Sequence, residues 1–164
     1  MSSWKGVKMS ETISKELQDI IEDKETLKLV ATVGKDGIPH AVYKGSLHVN
    51  EDGNIEYYEL LESARDNQNF VYSLWFDKKI SISILDKNKR SFEIIGKPVR
   101  SITSGKKFLD AYANLKNARG NSSDLGAIQI IEIEEIREET YAVRKQEDEE
   151  KYPILKHIDR LIKN

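Results

Sequence analysis

Hydrophobic and polar residues follow two different periods along this chain, and the two periods divide it into helices and strands. A helical period opens the chain and predicts an amphipathic helix over residues 10–25, with Ser10 as its N-cap. Six stretches then have the pattern of strands: residues 27–33, 38–49, 55–61, 80–85, 90–103 and 127–136. The alternation that indicates one buried face is clearest at residues 80–85. Helical spacing returns between strands at residues 63–76 and 104–116.

The connections between these stretches indicate how the sheet is built. Short turns rich in glycine and aspartate, such as residues 34–37, join successive strands and predict antiparallel hairpins. Gly96 and Pro98 predict a bulge in the fifth strand. Six antiparallel strands with few helices favour a mainly β protein of the α+β class, in which the sheet curls into a small closed barrel.

We expect one domain over residues 1–164, in which the barrel occupies residues 27–136. The segment 140–164 is expected to add a short seventh strand at residues 140–144 and a closing helix at residues 152–162.

Composition excludes several classes of protein. The 164 residues include 26 basic and 28 acidic side chains, a net charge of -2, which argues against a nucleic-acid partner held by bulk charge. No apolar run reaches the ~20 residues of a membrane helix, and no signal peptide is visible. The absence of cysteine excludes disulfides, thiolate catalysis and cysteine metal sites. We therefore expect a cytoplasmic protein with neither a nucleic-acid nor a membrane partner.

The charge is nevertheless unevenly distributed. Residues 132–150 contain nine acidic and three basic side chains, a local net charge of -6, so the remaining 19 acidic and 23 basic residues give +4. We interpret the acidic stretch as a solvated strand edge and loop, which discourages edge-to-edge aggregation. The remainder of the chain carries enough positive charge to hold an anionic ligand.

Familiar catalytic and metal-binding patterns are missing from the sequence. There is no nucleophile elbow, no P-loop and no dinucleotide-binding glycine motif. His40 and His48 share a face of the predicted second strand, but at ~3.3 Å per residue they lie roughly 26 Å apart. We therefore expect no metal site, and we interpret both histidines as polar residues on a half-exposed face.

One region carries the donors that a phosphate group needs. Lys44 lies on the second strand, and the third strand leads into Ser63 and Arg65 at the start of a predicted helix. A hydroxyl, a guanidinium and the backbone N–H groups of a helix start can together bind an anion. An ordinary capped helix N-terminus explains the same residues, and spacing alone favours that interpretation.

Four short motifs, in this order, resemble the pyridoxamine 5'-phosphate oxidase-like FMN-binding split barrels. They are the opening hairpin at residues 29–40 with its D-G turn and Pro39, the segment Ser63-Ala64-Arg65 followed by Asn69-Phe70, the strand at residues 79–84, and the strand at residues 90–96 that begins Arg-Ser-Phe. The resemblance runs from residue 27 to residue 136, about two thirds of the chain.

The resemblance implies a six-stranded antiparallel split barrel and a homodimer with FMN bound between the subunits. It also implies an oxidoreductase that passes electrons to the flavin from a reduced nicotinamide or from a protein donor. Arg65 and Ser63 would hold the phosphate, and Asn69 would fix the loop. The residues lining the flavin would be Tyr43, Lys44, Glu59 and Leu60. The Lys44 ammonium would then stabilise the reduced, anionic flavin.

The chain also departs from the family pattern. Asp66 stands where many members have a threonine, and Glu59 and Glu62 add negative charge nearby. Two alternatives therefore stay open. One is a non-catalytic split-barrel module for flavin, haem or deazaflavin, in which His48 or His157 would be the axial ligand of a haem. The other is a structural or regulatory dimer without a ligand.

Overall fold

A computed structural model describes residues 11–153 and places seven strands and four helices in that range. In chain order they are α1 (Lys15–Glu22), β1 (Leu27–Val33), β2 (Pro39–Tyr43), β3 (His48–Val49), β4 (Ile55–Glu59), α2 (Arg65–Trp75), β5 (Ile80–Leu85), β6 (Ser91–Ile102), α3 (Lys106–Arg119), β7 (Ala127–Glu138) and α4 (Tyr141–Lys151). None of these helices has the length and apolar character that crossing a membrane requires.

All seven strands form one antiparallel sheet in the order β2-β1-β5-β6-β7-β4-β3. The two edge strands, β2 and β3, follow one another in the chain and are joined only by residues 44–47. A flat sheet would hold its edges ~29 Å apart at ~4.8 Å per strand, whereas this connection spans at most ~17 Å. The sheet must therefore curl, and no ladder joins β2 to β3 within residues 11–153. The architecture is an α+β fold with a curled antiparallel sheet.

The bend in β6 lies where the sequence predicts it. The register between β6 and β7 shifts at Gly96 and again after Pro98. A Cβ atom on Gly96 would lie 2.3 Å from the side chain of Ile131 and 2.8 Å from the backbone oxygen of Glu132. Only glycine lets the two strands approach this closely, so the bulge depends on that residue.

Two apolar clusters fill the molecule. The larger one lines the concave side of the sheet, where α1 and α2 cover it with Leu17, Ile21 and Phe70. The smaller one packs Ala111 and Leu115 of α3 against the start of β7. Burying a side chain of this size contributes about 1.5–3 kcal/mol, so the larger cluster dominates the stability of the fold.

The convex side of the sheet leaves apolar residues exposed. The alternation in β1 buries Val30, whereas Leu27 is 51% and Val33 is 44% exposed. Tyr43 of β2, directly opposite Leu29, is 64% exposed on the same side. The outward-facing side chains of β1 are therefore apolar, and nothing else in the described part of the chain covers them. We call this side of β2, β1 and β5 the convex apolar face.

Two sequence-based assignments are wrong, the start of the first helix and the extent of the second strand. The first helix begins at Lys15, and its N-cap is Ser14, whose hydroxyl accepts a hydrogen bond from the backbone N–H of Leu17. The expected cap, Ser10, lies outside the described residues. The predicted second strand is two strands, because the chain turns at residues 44–47, and the sheet accordingly has seven strands where six were expected.

The segment after β7 also differs from the prediction. Residues 140–144 form the N-cap and first turn of α4, whereas a seventh strand was expected there. Alternation over five residues was too short to distinguish the two. The predicted final helix at residues 152–162 lies almost entirely outside the described range.

The acidic stretch divides between two elements. Its first half lies on β7 beyond Ile131. In this part the ladder between β7 and β4 has ended, and β7 pairs with β6 on its other side. Basic side chains neutralise part of it, as in the ion pair of Lys79 with Glu134 at 2.6 Å. Its second half lies on α4, which has no buried residue. The interpretation as a strand edge is confirmed for the first half, and the loop expected for the second half is a helix.

Candidate functional site

A buried cluster of one ammonium and two carboxyl groups lies where β2 and β4 end and α2 begins. Lys44 Nζ is 2.6 Å from Glu59 Oε2 and 2.6 Å from Asp66 Oδ2. The side chains are 11%, 3% and 4% exposed in that order. Lys44 and Glu59 are therefore brought together as predicted site residues, and the ammonium that was expected to face a flavin is already neutralised by two carboxyl groups.

The backbone fixes this lysine from two directions. The Lys44 N–H donates to the carbonyl of Lys28, at 2.8 Å. The Lys28 ammonium in turn donates to the carbonyls of Ile21 and Leu47, at 3.1 and 3.0 Å. Burial lowers the pKa of Lys28. A buried lysine in β1 therefore ties the turn at residues 44–47 to the end of α1, and with it the position of Lys44.

The two carboxyl groups have opposite acidities. Burial, together with a hydrogen bond to Asp66, raises the pKa of Glu59. Burial also acts on Asp66, but its hydrogen bonds with Glu59 and Lys44 outweigh burial and lower the pKa of Asp66. Two ionised carboxylates beside one ammonium repel each other, which favours a proton on one of them.

Tyr57 completes the cluster on the side of the core. Its ring centroid is 5.4 Å from Lys44 Nζ, close enough for a cation–π contact. Its hydroxyl is fully buried and has no hydrogen-bond partner in the part of the chain that is described. Burial and the nearby carboxyl groups raise the pKa of Tyr57 well above its ordinary value.

A groove of about 290 Å³ opens directly over the cluster. Its lining includes four of the predicted site residues, together with two residues from α3: Tyr43, Lys44, Glu59, Leu60, Leu115 and Arg119. Within residues 11–153 Arg119 has no ion-pair partner, and it supplies the positive charge that Lys44 no longer offers. The groove is therefore apolar on its walls, cationic at one end and acidic at its base.

The predicted phosphate-binding residues lie at the start of α2. Arg65 is the first residue of the helix, and its guanidinium contacts Asp36 at 2.7 Å with both side chains about half exposed. Ser63 is exposed, and its hydroxyl has no hydrogen-bond partner within the described range. The N-cap residue is Ala64, and no side chain caps the helix. The interpretation of these residues as an ordinary capped helix N-terminus is therefore wrong.

Asn69 lies on the buried side of α2 and touches the opening hairpin. Its Nδ2 donates to Thr32 Oγ1 at 3.1 Å. A Cβ atom on Gly34 would lie 2.1 Å from Asn69 Oδ1, so the amide presses directly on the first residue of the turn at 34–37. Asn69 thus contacts both the strand before the turn and the turn itself.

The two described histidines are far from forming a joint site. His40 lies on β2 and His48 on β3, the opposite edges of the sheet, so the expected continuous strand between them is absent. Ser46 O lies 2.8 Å from His48 Nδ1, and Glu56 Oε1 lies 3.5 Å from Nε2. No group of three metal-ligating side chains occurs within residues 11–153.

Sequence reasoning missed three residues of this region. Asp66 was noted only as a departure from the family pattern, and its carboxylate points inwards to Lys44. Its position in the first turn of a helix and its acidity gave no sign of that partner. Tyr57 and Arg119 gave no signal either, because only the curl of the sheet and the packing of α3 bring them to Lys44.

Comparison with known proteins identifies the fold. No protein-family model and no curated protein matches the chain. Among solved structures, HupZ of Group A Streptococcus superposes with a TM-score of 0.64 at 25% identity, covering 79% of this chain and 96% of that one. A Lactobacillus delbrueckii protein assigned as a pyridoxamine 5'-phosphate oxidase gives a TM-score of 0.57 at 17% identity, covering 77% and 93%.

An FMN-binding protein of Syntrophomonas wolfei matches in the same way, with a TM-score of 0.55 at 15% identity over 74% of this chain and 82% of that one. The chain has the fold of the pyridoxamine 5'-phosphate oxidase-like FMN-binding split barrels. The resemblance drawn from its four motifs is confirmed at the level of the fold. The same split barrel occurs in an F420 reductase and in HutZ, the haem storage protein of Vibrio cholerae, at 12% and 14% identity.

Proposed function

We propose that two copies of this chain bind FMN in the groove beside Tyr43, and that the flavin makes the protein an oxidoreductase. The electrons would come from a reduced nicotinamide or from a protein donor. The bound flavin would supply the redox chemistry, while the chain binds and orients it and keeps water from it. The fold supports this assignment, because FMN-binding proteins share it.

The convex apolar face supports the expectation of a homodimer. Leu85 of β5, directly opposite Leu27, is 39% exposed on the same side. Contiguous apolar surface of this kind is typical of a protein interface. A second copy of the chain is the partner that the family resemblance implies.

The observation that carries the proposal is the position of Tyr43. This residue lies on the convex apolar face, opposite Leu29, and it also lines the groove. A second copy that covers the face would therefore also close the groove. At about 290 Å³ the groove of one chain is near the lower end of small-molecule sites, roughly 300–1,000 Å³, so a second wall from a partner fits the requirement.

The start of α2 suits the phosphate of FMN. Its N–H groups are not capped by a side chain, and the exposed Ser63 and Arg65 add a hydroxyl and a guanidinium. The ion pair of Arg65 with Asp36 is half exposed and worth at most about 1 kcal/mol, so a phosphate can replace the aspartate. Asp66 is no obstacle, because its carboxylate faces Lys44. Arg65, the first residue of this helix, directly precedes Asp66 of the cluster below the groove.

A non-catalytic flavin module is the second candidate, and the neutralised Lys44 favours it. A cation beside the flavin ring stabilises the reduced state, and here two carboxyl groups already balance that ammonium. Haem fits the described residues less well. Both nitrogens of His48 face oxygen atoms of the chain, and an axial ligand needs one of them free.

Thermal unfolding with and without FMN tests the proposal. We expect excess FMN to raise the unfolding temperature of the wild type, since a ligand at 100 times its Kd stabilises the folded state by about 2.7 kcal/mol. Arg65→Ala should lose most of this effect. Arg144→Ala is the matched control, because Arg144 is also an ion-paired arginine near a helix start, 40% exposed against 44% for Arg65.

The same samples distinguish the two candidates. A wild type that FMN does not stabilise, or an Arg144→Ala variant as impaired as Arg65→Ala, would refute FMN binding at this site. If FMN binds, steady-state oxidation of NADH or NADPH with a dye acceptor separates an oxidoreductase from a module without turnover.

A further inference from the structure

The buried cluster below the groove contains more acid than base. Lys44 supplies one positive charge, whereas Glu59 and Asp66 would supply two negative charges if both were ionised. An uncompensated charge at this depth is costly, and the chain avoids it by protonating a carboxyl group. Tyr57, the nearest other polar side chain, has no partner for its hydroxyl and cannot supply a positive charge.

The position of the two carboxyl groups decides which of them can exchange a proton. Glu59 Oε2 and Asp66 Oδ2 both lie 2.6 Å from Lys44 Nζ, so two ionised carboxylates there would repel each other, which favours a proton on one of them. Asp66 belongs to the first turn of α2, where the helix dipole favours the ionised form. Glu59 belongs to the end of β4 and lines the groove. Glu59 is therefore the member of the pair that can exchange a proton with the groove.

We propose that the Lys44–Glu59–Asp66 cluster holds one proton between its two carboxyl groups, and that Glu59 exchanges this proton with solvent when the charge in the groove changes. This inference rests on the proposed function, in which the groove takes the anionic FMN. Only an O–H bond forms or breaks, and the proton comes from water or buffer.

The groups around Glu59 determine the direction of the exchange. Lys44 faces it from the turn at residues 44–47, Asp66 from α2 and Tyr57 from β4, while Arg119 faces the groove from α3. A bound anion lowers the local potential and partly neutralises Arg119, so it favours the protonated form of Glu59. Above the pKa of the unliganded cluster, where Glu59 has lost this proton, binding of FMN should therefore be accompanied by proton uptake.

The unliganded protein tests the shared proton directly. Infrared difference spectra of the wild type, taken between neutral and acidic pH, should show the band of a protonated carboxyl group. This band should persist above the ordinary glutamate pKa of about 4.3. The band should be lost in Glu59→Gln and kept in Glu62→Gln. Glu62 is the matched control, because it is an exposed carboxylate three residues away with no contact to Lys44.

Calorimetric titration with FMN in two buffers of different ionisation enthalpy measures the coupling. At a pH above the pKa of the unliganded cluster we expect uptake of up to one proton per FMN in the wild type and in Glu62→Gln, and affinity should fall there by up to tenfold per pH unit. Glu59→Gln should bind FMN without proton uptake. If that variant does not fold, the wild-type band and proton count decide the matter alone.

The outcomes separate this inference from the proposed function. A wild type that shows no protonated carboxyl above the ordinary range overturns the shared proton, even if FMN binds. FMN binding without proton uptake overturns the coupling alone. If the carboxyl band is present and FMN does not bind at any pH, the proposed function and the coupling both fail, while the shared proton is supported.

Discussion

Removing the ammonium from the buried cluster is expected to be costly, and the cost can be estimated from the geometry. In Lys44→Met two carboxyl groups, 3% and 4% exposed, lose the cation that lies 2.6 Å from each. Breaking a buried ion pair from one side costs about 3–5 kcal/mol, because the other charge stays buried without compensation. Urea-induced unfolding at neutral pH measures this loss. Lys15→Met is the control, since the ion pair of Lys15 and Asp19 is exposed and contributes little to stability.

The pH dependence of this variant adds a second test. Without Lys44 the pKa values of Glu59 and Asp66 should both rise in the folded state, so stability is lost as pH rises through the raised values. The cost of Lys44→Met should therefore be smaller at pH 5 than at pH 8, and a second change, Glu59→Gln, should recover part of it. A cost as small as that of Lys15→Met and independent of pH would refute the description of the cluster.

Three further changes follow from the contacts. Glu59→Gln should remove a pH dependence of stability, because the raised pKa of Glu59 lets the folded wild type keep a proton that the unfolded chain loses above about pH 4.5. In urea unfolding, wild-type stability should therefore fall relative to the variant as pH rises, by at most about 1.4 kcal/mol per pH unit. Two parallel curves of stability against pH would contradict this. Gly34→Ala should lower the free energy of unfolding by about 1–3 kcal/mol in the wild type, and by almost nothing when Asn69→Ala is already present. A double-mutant cycle measures this difference, and additive losses would show that the Asn69 amide does not fill that space. Ala41→Glu, on the convex apolar face, should give a folded monomer by sedimentation, and an unchanged dimer would place the interface elsewhere.

The sequence predicts most strands well because a period of two matches their burial, whereas β4 and the start of β7 are buried at consecutive positions. Ile80, Ile82 and Ile84 are buried and the serines between them are not, as alternation indicates. The bulge in β6 was predictable for a similar reason, since glycine and proline have few other uses inside a strand. The fold class followed from these elements and their short connections.

The break in the second strand was not predictable from residues 38–49. Alternation continues across the turn at 44–47, so only the tertiary constraint that the sheet must curl reveals it. The end of β7 shows the same limit, because Tyr141 and Val143 alternate like a strand while they begin a helix. Local periodicity is ambiguous wherever fewer than six residues carry it.

The candidate site was predictable in part. Motif order brought Lys44 and Glu59 into one hypothesis, and the structure places their charged groups in contact. The role expected of Lys44 depended on its neighbours, and Asp66 lies 22 residues further along the chain, on another element. A charge that long-range packing neutralises leaves no trace in local sequence.

The central claim is that FMN binds between two copies of the chain, and sedimentation velocity followed at the flavin absorption band tests it most directly. We predict that flavin absorbance sediments with a species of twice the chain mass of 18.8 kDa. In Arg65→Ala the absorbance should move to the boundary of free FMN while the protein stays dimeric. Flavin that sediments with a monomer, or that never leaves the free boundary with the wild type, would contradict the account.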